Sequence, residues 1–232
     1  MMKRIAAILL AAALLSGALS ARAAAGERPK GYLALTFDDG PSGPITQSLL
    51  DGLRTRGVKA TFFVCGYRIG RYPQTLQRIA EEGHEIGLHS CCHTYMQHMT
   101  KQEALDDLIE CREAVTECCG VSPVLFRPPG GLYSQALLQA AREERLSVVL
   151  WSVDPRDWDP AGQDAALGTI LRNAADGSVI LMHDLSAASV RTALCAVDRL
   201  TQEGYRFCTV SELAKAAGRT LEPGGVYRSF AS

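Results

Sequence analysis

Two adjacent aspartates and three histidines carry the chemistry that this sequence could perform. Asp38 and Asp39 stand in Thr36-Phe37-Asp38-Asp39-Gly40, directly after the apolar run Tyr32-Leu33-Ala34-Leu35. His89 and His93 bracket His89-Ser90-Cys91-Cys92-His93, and His183 closes the apolar run Val179-Ile180-Leu181-Met182. Two imidazoles and one carboxylate can hold a zinc-like ion and leave a coordination position open for water. The second carboxylate and the third histidine would then supply a base and an acid. Such a set is equipped for hydrolysis.

Apolar β-type runs alternate with amphipathic helical stretches along most of the chain. The runs at 32–37, 60–64, 85–88, 124–126, 147–153, 178–182 and 206–209 are predicted as strands. Helices are expected over 45–56, 72–82, 101–118, 134–144, 165–175 and 189–203. The clearest is 101–118: Thr100 can cap it with Glu103 three residues on, and Ala104, Leu105, Leu108, Cys111 and Val115 form a stripe to bury. Gly57, Gly83, Gly120 and Gly204 fall where helices should stop. The alternation argues for a parallel α/β architecture in a single domain. After Ala216 the chain reads as an irregular tail.

Asp38/Asp39, His89, Arg127, Asp154/Asp157 and His183 all fall just past the C-terminal ends of predicted strands. That edge is where parallel barrels and open α/β sheets build their chemistry. Each piece has a plainer explanation taken singly. Adjacent aspartates before glycine make turns or helix caps. Histidines spaced i,i+4 share one helical face whether or not they bind anything. Arg127-Pro128-Pro129-Gly130-Gly131 is a stiff turn, and Asp154-Pro155-Arg156-Asp157-Trp158 is a loop with an indole to pack. Their joint occurrence in this order is what a structural account does not cover.

The 232 residues give ample chain for a core, and a net charge of −1 offers no field to gather nucleic acid or anionic lipid. The N-terminus starts basic at Met1-Met2-Lys3-Arg4, runs apolar from Ile5 to Leu15, and offers small-residue cleavage sites after Ala23 or Ala25. Residues 1–25 thus read as a secretory signal peptide and 26–232 as the mature domain, released outside the cytoplasmic membrane. All eight cysteines lie in that mature part, where export permits disulfides. Cys91 and Cys92, placed between two candidate ligands, are potential thiolate competitors for a soft metal.

Five segments taken together, 36–40, 89–93, 127–131, 154–158 and 181–183, resemble in order the motifs of the polysaccharide deacetylase family, the NodB-like carbohydrate esterases of family four. The resemblance spans nearly the whole mature chain and implies a distorted (β/α) barrel. It implies that Asp39, His89 and His93 bind one divalent metal ion, usually zinc in this family, with Co2+, Mn2+ or Fe2+ as substitutes. By the same resemblance Asp38 is the general base, Arg127 holds it ionised, His183 is the general acid and Asp157 orients it. Trp158 and Leu181 would wall the acetyl pocket, and the backbone N–H of Gly130 would help hold the oxyanion. The position of Gly130 is tyrosine in many members, so sugar contacts should differ here.

The implied substrate is an N-acetylated polysaccharide of the cell envelope, with N-acetylglucosamine of peptidoglycan placed ahead of N-acetylmuramic acid, chitooligosaccharides and O-acetylated xylan. No nucleic-acid partner and no lasting membrane insertion are expected, and the chain should be a monomer. A catalytically dead glycan-binding module would lack Asp38 or His183, and both are present. An amidase for small cyclic amides fits poorly with a leader peptide. A metalloprotease is the weakest alternative, because Ser90 and not glutamate follows His89 as H-E-x-x-H requires.

Overall fold

The computed structural model describes residues 28–231, so the expected leader lies outside the described residues. Eight strands form one sheet: β1 (Gly31–Gly40), β2 (Thr61–Val64), β3 (Glu85–Leu88), β4 (Leu125–Phe126), β5 (Ser147–Val149), β6 (Val179–His183), β7 (Tyr205–Cys208) and β8 (Val226–Tyr227). Their order is β6-β1-β2-β3-β4-β5-β8, and every ladder is parallel. The long β1 is shared: Gly31–Ala34 pair with β7, and Ala34–Asp38 pair with β6. Past β5 the chain bridges back to β6 at Val153 and Ile180, with Leu181 N donating to Val153 O at 2.9 Å. The sheet thereby curls into a distorted barrel.

Helices cover its outside: α1 (Pro44–Arg56), α2 (Gly66–Ile69), α3 (Pro73–Glu81), α4 (Lys101–Cys119), α5 (Gln135–Glu143), α6 (Gln163–Asn173), α7 (Ala187–Gln202) and α8 (Val210–Ala216). Strand periodicity sorts the side chains. On β1, Leu33, Leu35 and Phe37 face the helices in the main core, while Ala34 joins an inner cluster with Phe63, Leu125, Val149 and Val179. Val210, Leu213 and Ala214 of α8, together with Phe230, belong to the same inner cluster.

Several expectations are corrected. The segment after Ala216 is not an irregular tail: it contributes β8, and Phe230 is 1% exposed within the inner cluster. Its strand was illegible because two residues among glycines carry no period. β5 stops at Val149 instead of 153, because the following residues leave the ladder to bridge β6. β1 runs on to Gly40, past the expected end at 37. The segment 89–93 is not a helical turn; it is irregular, with Ser90 at φ 63° and His93 at φ 54°.

The helix over 101–118 forms as α4, with Ala104, Leu105, Leu108, Cys111 and Val115 buried. Its capping box is complete: Glu103 N donates to Thr100 Oγ1 at 3.3 Å and Thr100 N to Glu103 Oε2 at 2.7 Å. Replacing Thr100 by alanine should therefore cost about 1 kcal/mol of stability, read as a lower urea midpoint at unchanged slope. An unchanged midpoint would show that the cap contributes nothing.

Candidate active site

Consecutive residues of a strand point to opposite faces, so Asp38 and Asp39 should not serve one site. A bulge resolves this. β1 pairs Asp38 with Phe63 but Gly40 with Val64, which leaves Asp39 as the extra residue, at φ 71°. The inserted residue turns the strand at the mouth of the barrel, so that both carboxylates line one cleft. Gly40 must be glycine here: a Cβ would lie 2.5 Å from the carboxylate oxygens of Asp184.

Arg127 follows β4 and is 0% exposed. Its Nη1 donates to Asp38 Oδ1 at 2.7 Å and to Thr36 Oγ1 at 2.8 Å, while Nε and Nη2 donate to the carbonyls of Val149 and Leu150 at 2.9 Å. The guanidinium also lies 4.1 Å over the Phe63 ring. Burial pulls its pKa down and the Asp38 carboxylate acts against that. A buried charge needs such a partner.

His183 pairs with Asp38 in the β1–β6 register, which sets the two side by side on neighbouring strands. Asp157, 1% exposed, grips His183 twice: its Oδ1 lies 2.9 Å from Nδ1, and its Oδ2 accepts from the backbone N at 3.0 Å. Burial disfavours the imidazolium, but the Asp157 hydrogen bond and the charges of Asp38, Asp157 and Asp39 outweigh it, raising His183 to about 9.

The third group is Asp39 with His89 and His93. Nε2 of His89 and Nε2 of His93 lie 3.3 and 3.1 Å from Asp39 Oδ1. His89 Nδ1 sits 2.7 Å from the Arg127 carbonyl oxygen, which can only accept, so Nδ1 holds the proton and Nε2 presents a lone pair. Asp39 Oδ1 is buried without a hydrogen-bond partner. Burial opposes its ionisation, and His89 and His93 hold the carboxyl well below the usual range when their Nε2 atoms carry protons toward it, the place that a bound cation would take. One ligand atom from each residue falls within 4.8 Å of the others, a span suited to one small cation bound at ~2.1 Å from each. Three converging acceptors, one of them orphaned, fit a divalent metal ion.

The cleft measures about 380 Å³ and is also lined by Gly130, Trp158 and Leu181. Every residue singled out in the sequence except Arg127 and Asp157 lines it, and those two lie behind it, bonded to Asp38 and His183. Tyr95, Trp151 and Asp184 escaped sequence reasoning. Tyr95 and Trp151 line the cleft as lone aromatics in loops. Asp184 is fully buried, accepts from Thr46 Oγ1 through its side chain and from Ser42 through its carbonyl, and ties the loop after the bulge to β6. The dipeptide His183-Asp184 was the only signal. All eight cysteines are free thiols, and none joins the Asp39–His89–His93 cluster. Burial pushes the Cys91 thiol upward, and its Sγ is not among the converging ligand atoms.

An incomplete parallel barrel with paired carboxylates, two histidine sites and a buried arginine at its mouth defines a hydrolase scaffold. The family model described as polysaccharide deacetylase matches residues 25–149. The chain is 36% identical over 188 residues to a peptidoglycan-N-acetylglucosamine deacetylase of Bacillus cereus, covering 79% of this chain and 88% of that protein. It is 37% identical over 182 residues to the peptidoglycan-N-acetylmuramic acid deacetylase PdaC of Bacillus subtilis, spanning 78% of this chain but only 38% of that longer protein. Among solved structures, a family 4 acetyl xylan esterase from Clostridium thermocellum in complex with a cobalt ion superposes with a TM-score of 0.80 at 29% identity, over 85% of this chain and 98% of that one. This chain belongs to the polysaccharide deacetylase family, which makes it a hydrolase that removes acetyl groups.

If Asp39, His89 and His93 hold the ion, His93→Ala should weaken zinc binding at least ~10-fold by titration calorimetry, and His89→Ala should do the same. Wild-type affinity in both variants would place the ion elsewhere.

Proposed function

We propose that this chain, after removal of a leader at 1–25, is an exported, divalent-metal-dependent deacetylase that hydrolyses the N-acetyl group of N-acetylglucosamine in peptidoglycan. The observation that carries the reading is the placement of Asp38 and His183 as strand neighbours beside one cluster of three ligand atoms. The relatives named as peptidoglycan deacetylases support the polymer, and the cobalt-bound esterase supports a metal at this site. A divalent ion held by Asp39, His89 and His93 would polarise the acetyl carbonyl and make a bound water more acidic.

The chain's own residues account for the proton movements. Asp38, fixed by Arg127, accepts the proton of the attacking water. The backbone at Gly130 lies in the cleft as a candidate oxyanion donor. His183, charged at neutral pH because of its carboxylate neighbours, donates to the leaving nitrogen. An amine leaves poorly without that proton, so losing His183 should cost roughly 10²–10⁴-fold in rate. Asp157 keeps the His183 proton available and its ring oriented. Trp158 and Leu181 would enclose the acetyl methyl.

Acetate release from peptidoglycan, chitin oligosaccharides and acetylated xylan, before and after chelation and zinc readdition, tests the whole reading. Release from peptidoglycan that is lost on chelation and restored by zinc is the expected result. Preference for acetylated xylan would replace the amide reading with an ester one. Asp38→Asn should keep the metal but lose turnover by at least ~10²-fold; near-normal rates would remove it as the base.

His183 must be protonated to act, so kcat/KM should fall as pH rises through its pKa, at or below about 9 because a cation at Asp39 offsets part of the carboxylate charge. Asp157→Asn removes the carboxylate that raises that pKa and should move the alkaline limb to lower pH. A profile superimposable on wild type would end the role assigned to Asp157.

A further inference from the structure

Nine large hydrophobic side chains are exposed among the described residues, and six follow the C-terminal ends of strands: Tyr67 in the short helix α2, and Tyr95, Leu132, Tyr133, Trp158 and Leu185 in loops. Scattered apolar side chains on a surface need no explanation. Two of the six, Tyr95 and Trp158, line one cleft, and exposed rings gathered there do need one.

Tyr95 is the most exposed of the six, at 58%, and it lines the cleft itself. Its ring meets the ring of His93 at an interplanar angle of 65°, with centroids 6.3 Å apart. It also lies over Gly130, where a Cβ would come within 2.7 Å of Tyr95 Cε1. Gly131 leaves the same kind of room for Trp151, whose Cη2 would stand 2.8 Å from a Cβ there. Both glycines adopt left-handed backbone, at φ 66° and 70°. Two side-chain-free positions thus give two aromatic rings their seats.

An aromatic ring seated this way offers a rigid apolar face at little entropic cost. Pyranose sugars carry a complementary apolar face of C–H groups, whereas their hydroxyls point outward around the ring. The acetamide must reach inward to Asp38 and His183, so its sugar, and the sugar joined to it, lie toward the mouth where Tyr95 stands.

Resting on the deacetylase reading above, we propose that Tyr95 is a substrate-positioning residue. Seated on Gly130, its ring packs against the apolar face of the sugar next to the one whose acetamide is cleaved. It touches no reacting atom, and it selects for a polymer over a single sugar.

Steady-state kinetics on zinc-loaded enzyme test this, using fragments of one, two and four sugars cut from chitin and from peptidoglycan. Tyr95→Ala should raise KM about 10-fold for the four-sugar fragment, with kcat altered by less than ~3-fold. Its effect on the one-sugar fragment should be much smaller. Tyr95→Phe should restore the wild-type KM, because the ring face and not the hydroxyl makes the contact. Zinc content and thermal midpoint, measured on the same samples, report whether His93 or the fold has been disturbed.

An equal KM rise on one-sugar and four-sugar fragments would overturn the assignment to the neighbouring sugar. A loss of kcat that follows lost zinc would make Tyr95 a support for His93 and overturn it as well. Wild-type turnover with an unmoved KM in Tyr95→Ala would remove this assignment alone. Absence of acetate from every fragment with wild-type enzyme would remove the deacetylase reading and this inference with it.

Discussion

A guanidinium with no exposure to solvent sits inside the barrel, and the site depends on how it is satisfied. Taking that charge out of water costs several kcal/mol unless its donors are paired. Arg127 meets the requirement by bonding to Thr36 and Asp38 on β1 and to the carbonyls of Val149 and Leu150 at the end of β5, with its plane over Phe63 of β2. One side chain therefore links three strands and fixes one carboxylate. Its main chain does a second job, because its carbonyl accepts a hydrogen bond from His89 Nδ1 and leaves Nε2 free to face Asp39. The orientation of the candidate base and the tautomer of a candidate ligand have a common origin.

The site is also where the backbone departs most from regular geometry. Among the described residues five non-glycine residues have positive φ, and four of them, Asp39, Ser90, His93 and Arg156, belong to segments that carry site residues. Such conformations cost of order 1 kcal/mol or more each and persist where the surroundings impose them. At Asp39 the cost accompanies a bulge that brings a second carboxylate to the face already occupied by Asp38. At Ser90 and His93 it accompanies a loop that folds back, so that two imidazoles meet across 5.2 Å without any helix beneath them. The two ends of the barrel divide the work. The mouth carries the polar groups, while α8 and Phe230 close the opposite side with apolar contacts.

Much of this was legible in the residues themselves. Strand–helix alternation, the buried stripe of α4 and its cap follow from periodicity and local hydrogen bonding, which act within a few residues and leave their mark on the chain. The placement of chemistry-bearing residues at strand ends was readable for the same reason, and the chain's membership of its family follows from their order. The five segments could be found without knowing any distance between them.

What the sequence could not disclose is set by contacts between distant segments. The spacing of His89 and His93 suggests a helical face, yet the pair converges from an irregular loop, because partners on β1 and after β4 decide the local backbone. Parity along a strand would have sent Asp39 away from Asp38, and only the mismatch of register with β2 turned it back. β8 and the burial of Phe230 arise where a two-residue pairing and one aromatic ring find the edge and base of a sheet already formed. Tyr95 and Asp184 gain their places from Gly130 and Gly40, which in the chain are merely residues without side chains. Local physical chemistry therefore determined which residues were available and on which elements. Long-range packing decided which atoms face one another, because side-chain direction at a bulge or loop depends on neighbours that the linear sequence holds far apart.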